Sequence, residues 1–70
     1  MDRTPTLAET THPSVKNVYL DARMIGYIGK AEKTWWAHRS YGNPRDPRRK
    51  SRGFRSEQAA VNWVAKEYQP

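Results

Sequence analysis

Apolar residues recur along this chain with two different periods, and turn-forming residues mark where one gives way to the next. Met24–Lys30 is rich in β-formers, with Ile25, Tyr27 and Ile28 interrupted by Gly26 and Gly29, and reads as a strand. A short extended piece at Val18–Ala22 precedes it. The polar connection Ala31-Glu32-Lys33 suits an antiparallel hairpin into a second strand, Thr34–Tyr41. Gly42-Asn43-Pro44 ends that strand and Pro47 follows closely, so Gly42–Arg48 is read as a loop before a third strand, Arg49–Phe54. The period then changes to that of a helix. Ala60, Trp63, Val64 and Tyr68 follow an i, i+3, i+4, i+8 pattern that Val61 widens, with Gln58, Asn62, Lys66 and Gln69 opposite. Ser56 supplies an N-cap, and Glu57 stands where a carboxylate favours the helix dipole. Glu67 falls inside the apolar stripe and needs a partner, which an arginine of the sheet can supply. The fold expected is α+β: a three-stranded antiparallel sheet packed against one C-terminal helix, spanning residues 18–70. Residues 1–17 carry only Leu7 and Val15 as larger apolar groups and are read as a disordered arm.

Alternation assigns the faces of the sheet. Trp35, Ala37, Arg39 and Tyr41 point one way, and Thr34, Trp36, His38 and Ser40 the other. One helix covers one face, so one of two adjacent tryptophans faces outward. The small Ala37 lets a helix approach, which places Trp35 beneath it and leaves Trp36, His38 and Ser40 open. The opposite facing would expose Trp35, Arg39 and Tyr41 instead.

Charge sharpens this picture. Between Arg39 and Arg55 stand seven Lys or Arg residues and one Asp, a net +6 that equals the charge of the whole chain. Arg39, Arg45, Arg48, Arg49, Arg52 and Arg55 outnumber Lys50 six to one. The guanidinium fork grips phosphate or a guanine edge in a bidentate way. Beside aromatics, such a concentration points to nucleic acid. With 70 residues, 36% of them hydrophobic, only a thin core is available. The sequence has no cysteine, and His12 and His38 stand apart, so neither a disulfide framework nor a zinc-like cluster is expected. No apolar run approaches the roughly 20 residues that span a bilayer, and residues 1–13 lack a signal-peptide core. No catalytic constellation stands out, and Gly26-Tyr27-Ile28-Gly29 is too short for a phosphate loop.

Two stretches carry a family resemblance. Ile25–Lys30 followed by Thr34–Tyr41, and Arg52-Gly53-Phe54-Arg55-Ser56 running into Glu57–Val64, resemble the N-terminal arm-type-site-binding domain of phage and transposon tyrosine integrases. The ethylene-response-factor DNA-binding domain of plants is similar. Trp35/Ala37, Gly53–Ser56 and the paired Ala59-Ala60 are the matching features, and the likeness runs from Met24 to Tyr68. It implies a sheet whose open face enters the major groove, with Tyr27, Trp36, His38, Ser40, Arg49 and Arg52 in contact.

The function expected is therefore non-enzymatic, sequence-specific binding of double-stranded DNA, as in an integrase domain or a small phage or mobile-element protein acting in DNA recombination. The candidate contacts are Tyr27, Lys30, Trp36, His38, Arg39, Ser40, Arg45, Arg48, Arg49, Lys50, Arg52 and Arg55. Arg45 and Arg48 are assigned to phosphate, and Trp36, His38 and Arg49 to the bases. Neither cofactor nor metal is expected. The protein is expected to be a cytoplasmic, nucleoid-associated monomer, with other recombination or host proteins as further partners. Two alternatives stand beside this. One is RNA or single-stranded nucleic acid stacked on Trp36 and Tyr41; the other is docking on an acidic host protein.

Overall fold

The computed structural model describes residues 4–43 and 45–68. Among them the elements are β1 (Thr6–Glu9), β2 (Val15–Leu20), β3 (Arg23–Ala31), β4 (Thr34–Arg39), a 3-10 turn (Pro47–Arg49), β5 (Lys50–Phe54) and α1 (Glu57–Lys66). The strands form one antiparallel meander in chain order, with α1 packed across one face, chiefly on β3 and β4. An antiparallel sheet with one C-terminal helix was expected, but the sheet has five strands rather than three. The three expected strands are β3, β4 and β5.

The two additional strands correct the reading of residues 1–17 as an arm. Of that stretch, residues 1–3 lie outside the described part of the chain. Residues 6–9 and 15–17 are paired strand, with Leu7 opposite Val18 and Ala8 opposite Asn17. What composition missed was alternation. Val18 and Leu20 face the helix and are buried, while Asn17 and Tyr19 face away. The Thr10 hydroxyl closes the β1–β2 loop, lying 2.9 Å from the His12 carbonyl oxygen and 2.8 Å from that of Val15. Threonine and serine here serve as turn-closing groups rather than as markers of disorder.

Two bulges set the facing of key residues. Val18 pairs with Gly26 and Tyr19 with Met24, so Ile25 is the extra residue, and it turns into the core at 2% exposure. On the other side Trp35 pairs with Phe54 and Trp36 with Arg52. The extra residue there is Gly53, whose φ of 88° suits glycine. The core is small and aliphatic: Val18, Leu20, Ile25, Ile28, Ala37, Ala60, Val61 and Val64 are buried, with Leu7, Trp35, Tyr41, Phe54 and Trp63 packed around them. Ala37 and Ala60 let the helix lie close to the sheet.

Both helix ends are satisfied by side chains. At the start, Ser56 Oγ accepts from the Ala59 N–H at 3.1 Å, and Glu57 pairs with Lys16 of β2 at 2.9 Å. At the end, where helix carbonyls lose their partners, the sheet supplies donors. Arg39 donates to the Trp63 carbonyl through Nη2 at 2.7 Å and Nε at 3.2 Å. The Tyr41 hydroxyl donates to the Val64 carbonyl. Arg39 Nη1 reaches Glu67 at 3.2 Å, so Arg39 is the arginine that Glu67 required.

Candidate nucleic-acid interface

The register of β3, β4 and β5 builds the open face. Tyr27 stands opposite His38, Gly29 opposite Trp36, Trp36 opposite Arg52 and His38 opposite Lys50. The rings touch. Tyr27 stacks on His38 with centroids 4.7 Å apart, and meets Trp36 edge to face at 5.8 Å. The indole of Trp36 leans across β3 onto Gly29, where a Cβ would lie only 2.1 Å from its Cζ2 atom. Glycine at that position is what lets Trp36 lie low on the sheet. With Lys50, Ser51 and Arg52, these aromatics line a shallow depression of about 520 Å³.

The expected site residues divide into several groups. Tyr27, Trp36, His38, Lys50 and Arg52 come together on the open face. Arg49 leaves the 3-10 turn close enough for its charge to act on His38. Ser40 is exposed at the far corner, its hydroxyl 3.6 Å from Met24 Sδ. Arg45 is exposed in the loop, its N–H donating to Asn43 Oδ1 at 2.9 Å, and Arg55 is exposed in the bend before α1.

Three cations and one ring do not belong to this face. Arg39 is only 5% exposed and is engaged with the helix, its guanidinium 3.8 Å from the Trp63 ring centroid. Lys30 pairs with Trp35 on the helix side and lies 5.9 Å from its ring centroid. Arg48 grips Asp46 at 3.1 Å, and it borders the helix-side cleft with Arg39 and Glu67. Tyr41 lies on the helix side of the sheet, where its hydroxyl caps α1. Charge counts and alternation do not say which cation a carboxylate or a helix end will claim, as Asp46 claims Arg48 and the end of α1 claims Arg39. Asn17, in the stretch read as arm, and Tyr19, in the short extended piece, stand on the open face of β2.

The electrostatics separate the two sides of the sheet. Carboxylates Glu57 and Glu67 sit on the helix side, paired with Lys16 and Arg39. Hydrogen bonds from Arg48 hold the Asp46 carboxyl below its ordinary range. On the open face, Arg49, Lys50 and Arg52 have no carboxylate partner among the described residues. Burial, then the charges of Arg49 and Lys50, push the His38 imidazole below its ordinary value. Its Nδ1 and the Nε of Arg49 are buried without hydrogen-bond partners.

Among the described residues no helix is long and apolar enough to cross a membrane, and no cluster of His, Cys, Asp or Glu is arranged to hold a metal. Compared with models of protein families, with curated proteins and with solved structures, the chain matches none. The integrase-type resemblance therefore rests on the short motifs around Trp35/Ala37 and Gly53–Ser56.

Proposed function

We propose that this chain is a non-catalytic nucleic-acid-binding protein that docks through the open face of its sheet. The observation that carries the reading is the sorting of charge. Among the described residues, Lys50 and Arg52 line the depression with Trp36, Tyr27 and His38, and Arg49 stands near enough for its charge to act on His38. None of the three cations has a carboxylate partner among these residues, while the carboxylates of Glu57 and Glu67 are paired with Lys16 and Arg39 on the opposite side. Unpaired cations next to aromatics serve phosphate and base together. The motif resemblance would make the ligand duplex DNA and the setting recombination. An acidic protein is the competing partner, since the cations alone would serve it.

Salt dependence separates these. If Arg49, Lys50 and Arg52 meet phosphate, with Arg45 or Arg55 adding one contact, log affinity should fall with log salt at a slope of about −3 to −4 on duplex, and of about −2 to −3 on a single strand. Fluorescence anisotropy with labelled oligonucleotides reads this directly. Affinity for neither form at low salt would overturn the proposal.

A further inference from the structure

Among the described residues, the open face carries cations along one flank only. Lys50 and Arg52 lie on β5 and Arg49 on the turn leading into it. At the opposite flank the outward strand positions are Thr6, Ala8, Val15, Asn17 and Tyr19, all uncharged. A major groove is bordered by two phosphate backbones, so a sheet seated in it needs donors on both flanks. A single strand has one backbone.

Width points the same way. Four gaps between five strands, at about 4.8 Å each, make the sheet about 19 Å across, against about 12 Å for the major groove. Tyr27 lies on the middle strand and Trp36 on the next, so flat entry is blocked before either ring reaches the groove floor. Trp36 is also laid down over Gly29 rather than projecting. A ring lying low on a sheet offers its face, and faces are what unpaired bases present. A duplex presents base edges.

Resting on the nucleic-acid reading, we propose that the ligand is unpaired: a single strand whose backbone follows β5 along Arg49, Lys50 and Arg52, with a base turned inward onto Trp36. The β1–β2 half of the face stays outside the contact.

The test compares labelled single-stranded and duplex oligonucleotides of equal length at matched salt, with wild type, Trp36→Ala, Trp36→Phe and Asn17→Ala. The single strand should bind at least about tenfold more tightly than the duplex. Trp36→Ala should weaken it by about 5- to 150-fold, the loss of one stacked base. Trp36→Phe keeps a π-face and should recover most of the affinity, and Asn17→Ala should change nothing. A melting curve for each variant separates lost contact from lost fold. Duplex bound as tightly as single strand overturns the proposal and leaves nucleic-acid binding standing. So does equal affinity of wild type and folded Trp36→Ala. Binding of neither form removes the parent reading as well.

Discussion

Arg39 shows how much one side chain can do once it is buried. It meets a helix-end carbonyl, the Glu67 carboxylate and the face of Trp63 at once. Glu67 is largely exposed, so its ion pair is screened and the carbonyl and ring contacts matter more. Arg39→Met should lower stability by about 2–3 kcal/mol, as read by urea unfolding, because it strips a charged donor from the helix end. With the fold intact under low denaturant, nucleic-acid affinity should be nearly unchanged, in contrast to Arg52→Ala. His38 behaves oppositely. Its pKa is depressed in the fold, so above the ordinary value near 6.5 it is neutral in both states and costs nothing. As pH falls below that value the unfolded chain takes up the proton first, and stability drops until the folded pKa is passed. The melting temperature should therefore fall more between about pH 7 and pH 5 in wild type than in His38→Gln. Equal falls would show that His38 is not the group responsible. Gly26 tolerates no side chain: a Cβ would lie 2.3 Å from the His38 carbonyl oxygen and 2.8 Å from Val64. Gly26→Ala should cost about 1–3 kcal/mol by overpacking.

At the scale of elements, the β-hairpin turns carry local strain. Leu20 pairs with Arg23 across a two-residue turn in which Asp21 and Ala22 have φ of 53° and 63°. That is the sign pattern of a type I′ turn, which matches strand twist but favours Asn and Gly. Alanine has no side-chain hydrogen bond to offset the left-handed conformation. Ala22→Gly should therefore stabilise the protein by about 0.5–1 kcal/mol, visible as a raised denaturation midpoint with unchanged slope. The β1 strand makes a different prediction. Leu7 packs on the core opposite Val18, so removing residues 1–10 should lower the melting temperature and expose the backbone of β2. An unchanged melt would mean that β1 adds nothing to the fold.

The whole molecule is organised by which side of the sheet the helix takes. That choice buries Ala37 and Arg39, packs Tyr41 half-buried against the end of α1, and turns Trp36 and His38 to the open face. It also gathers Glu57 and Glu67 with their cations on one side and leaves Arg52 on the other, with Arg49 acting on His38 and Lys50 at the edge between the two sides. The open face is thus less basic than the +6 of the chain, because Arg39, Arg48 and Lys16 are already engaged. This is why the salt slope expected above is shallower than a count of every cation from Arg39 to Arg55 would give. A measured duplex slope near −6 would mean that Arg48 leaves Asp46, and Arg39 the helix, on binding.

Local spacing and turn residues made the three strands from Met24 onward, the helix and its Ser56 cap legible. The helix stripe of Ala60, Val61 and Val64 was legible for the same reason. Alternation put Trp36 and His38 on one face together, but which face lay open was settled only by where the helix packs. What the tertiary structure decided were the matters settled by partners. β1 and β2 carry a weak local signal and become strands by pairing with each other and with β3, which converts exposed backbone into ladder. Among seven cations between Arg39 and Arg55, the fold selected Arg39 for the core, because its partners Trp63 and Glu67 come from a distant helix, whereas Arg48 takes Asp46 two residues away within the 3-10 turn. The one-sided cationic flank follows from the same selection, and no count along the chain contains it.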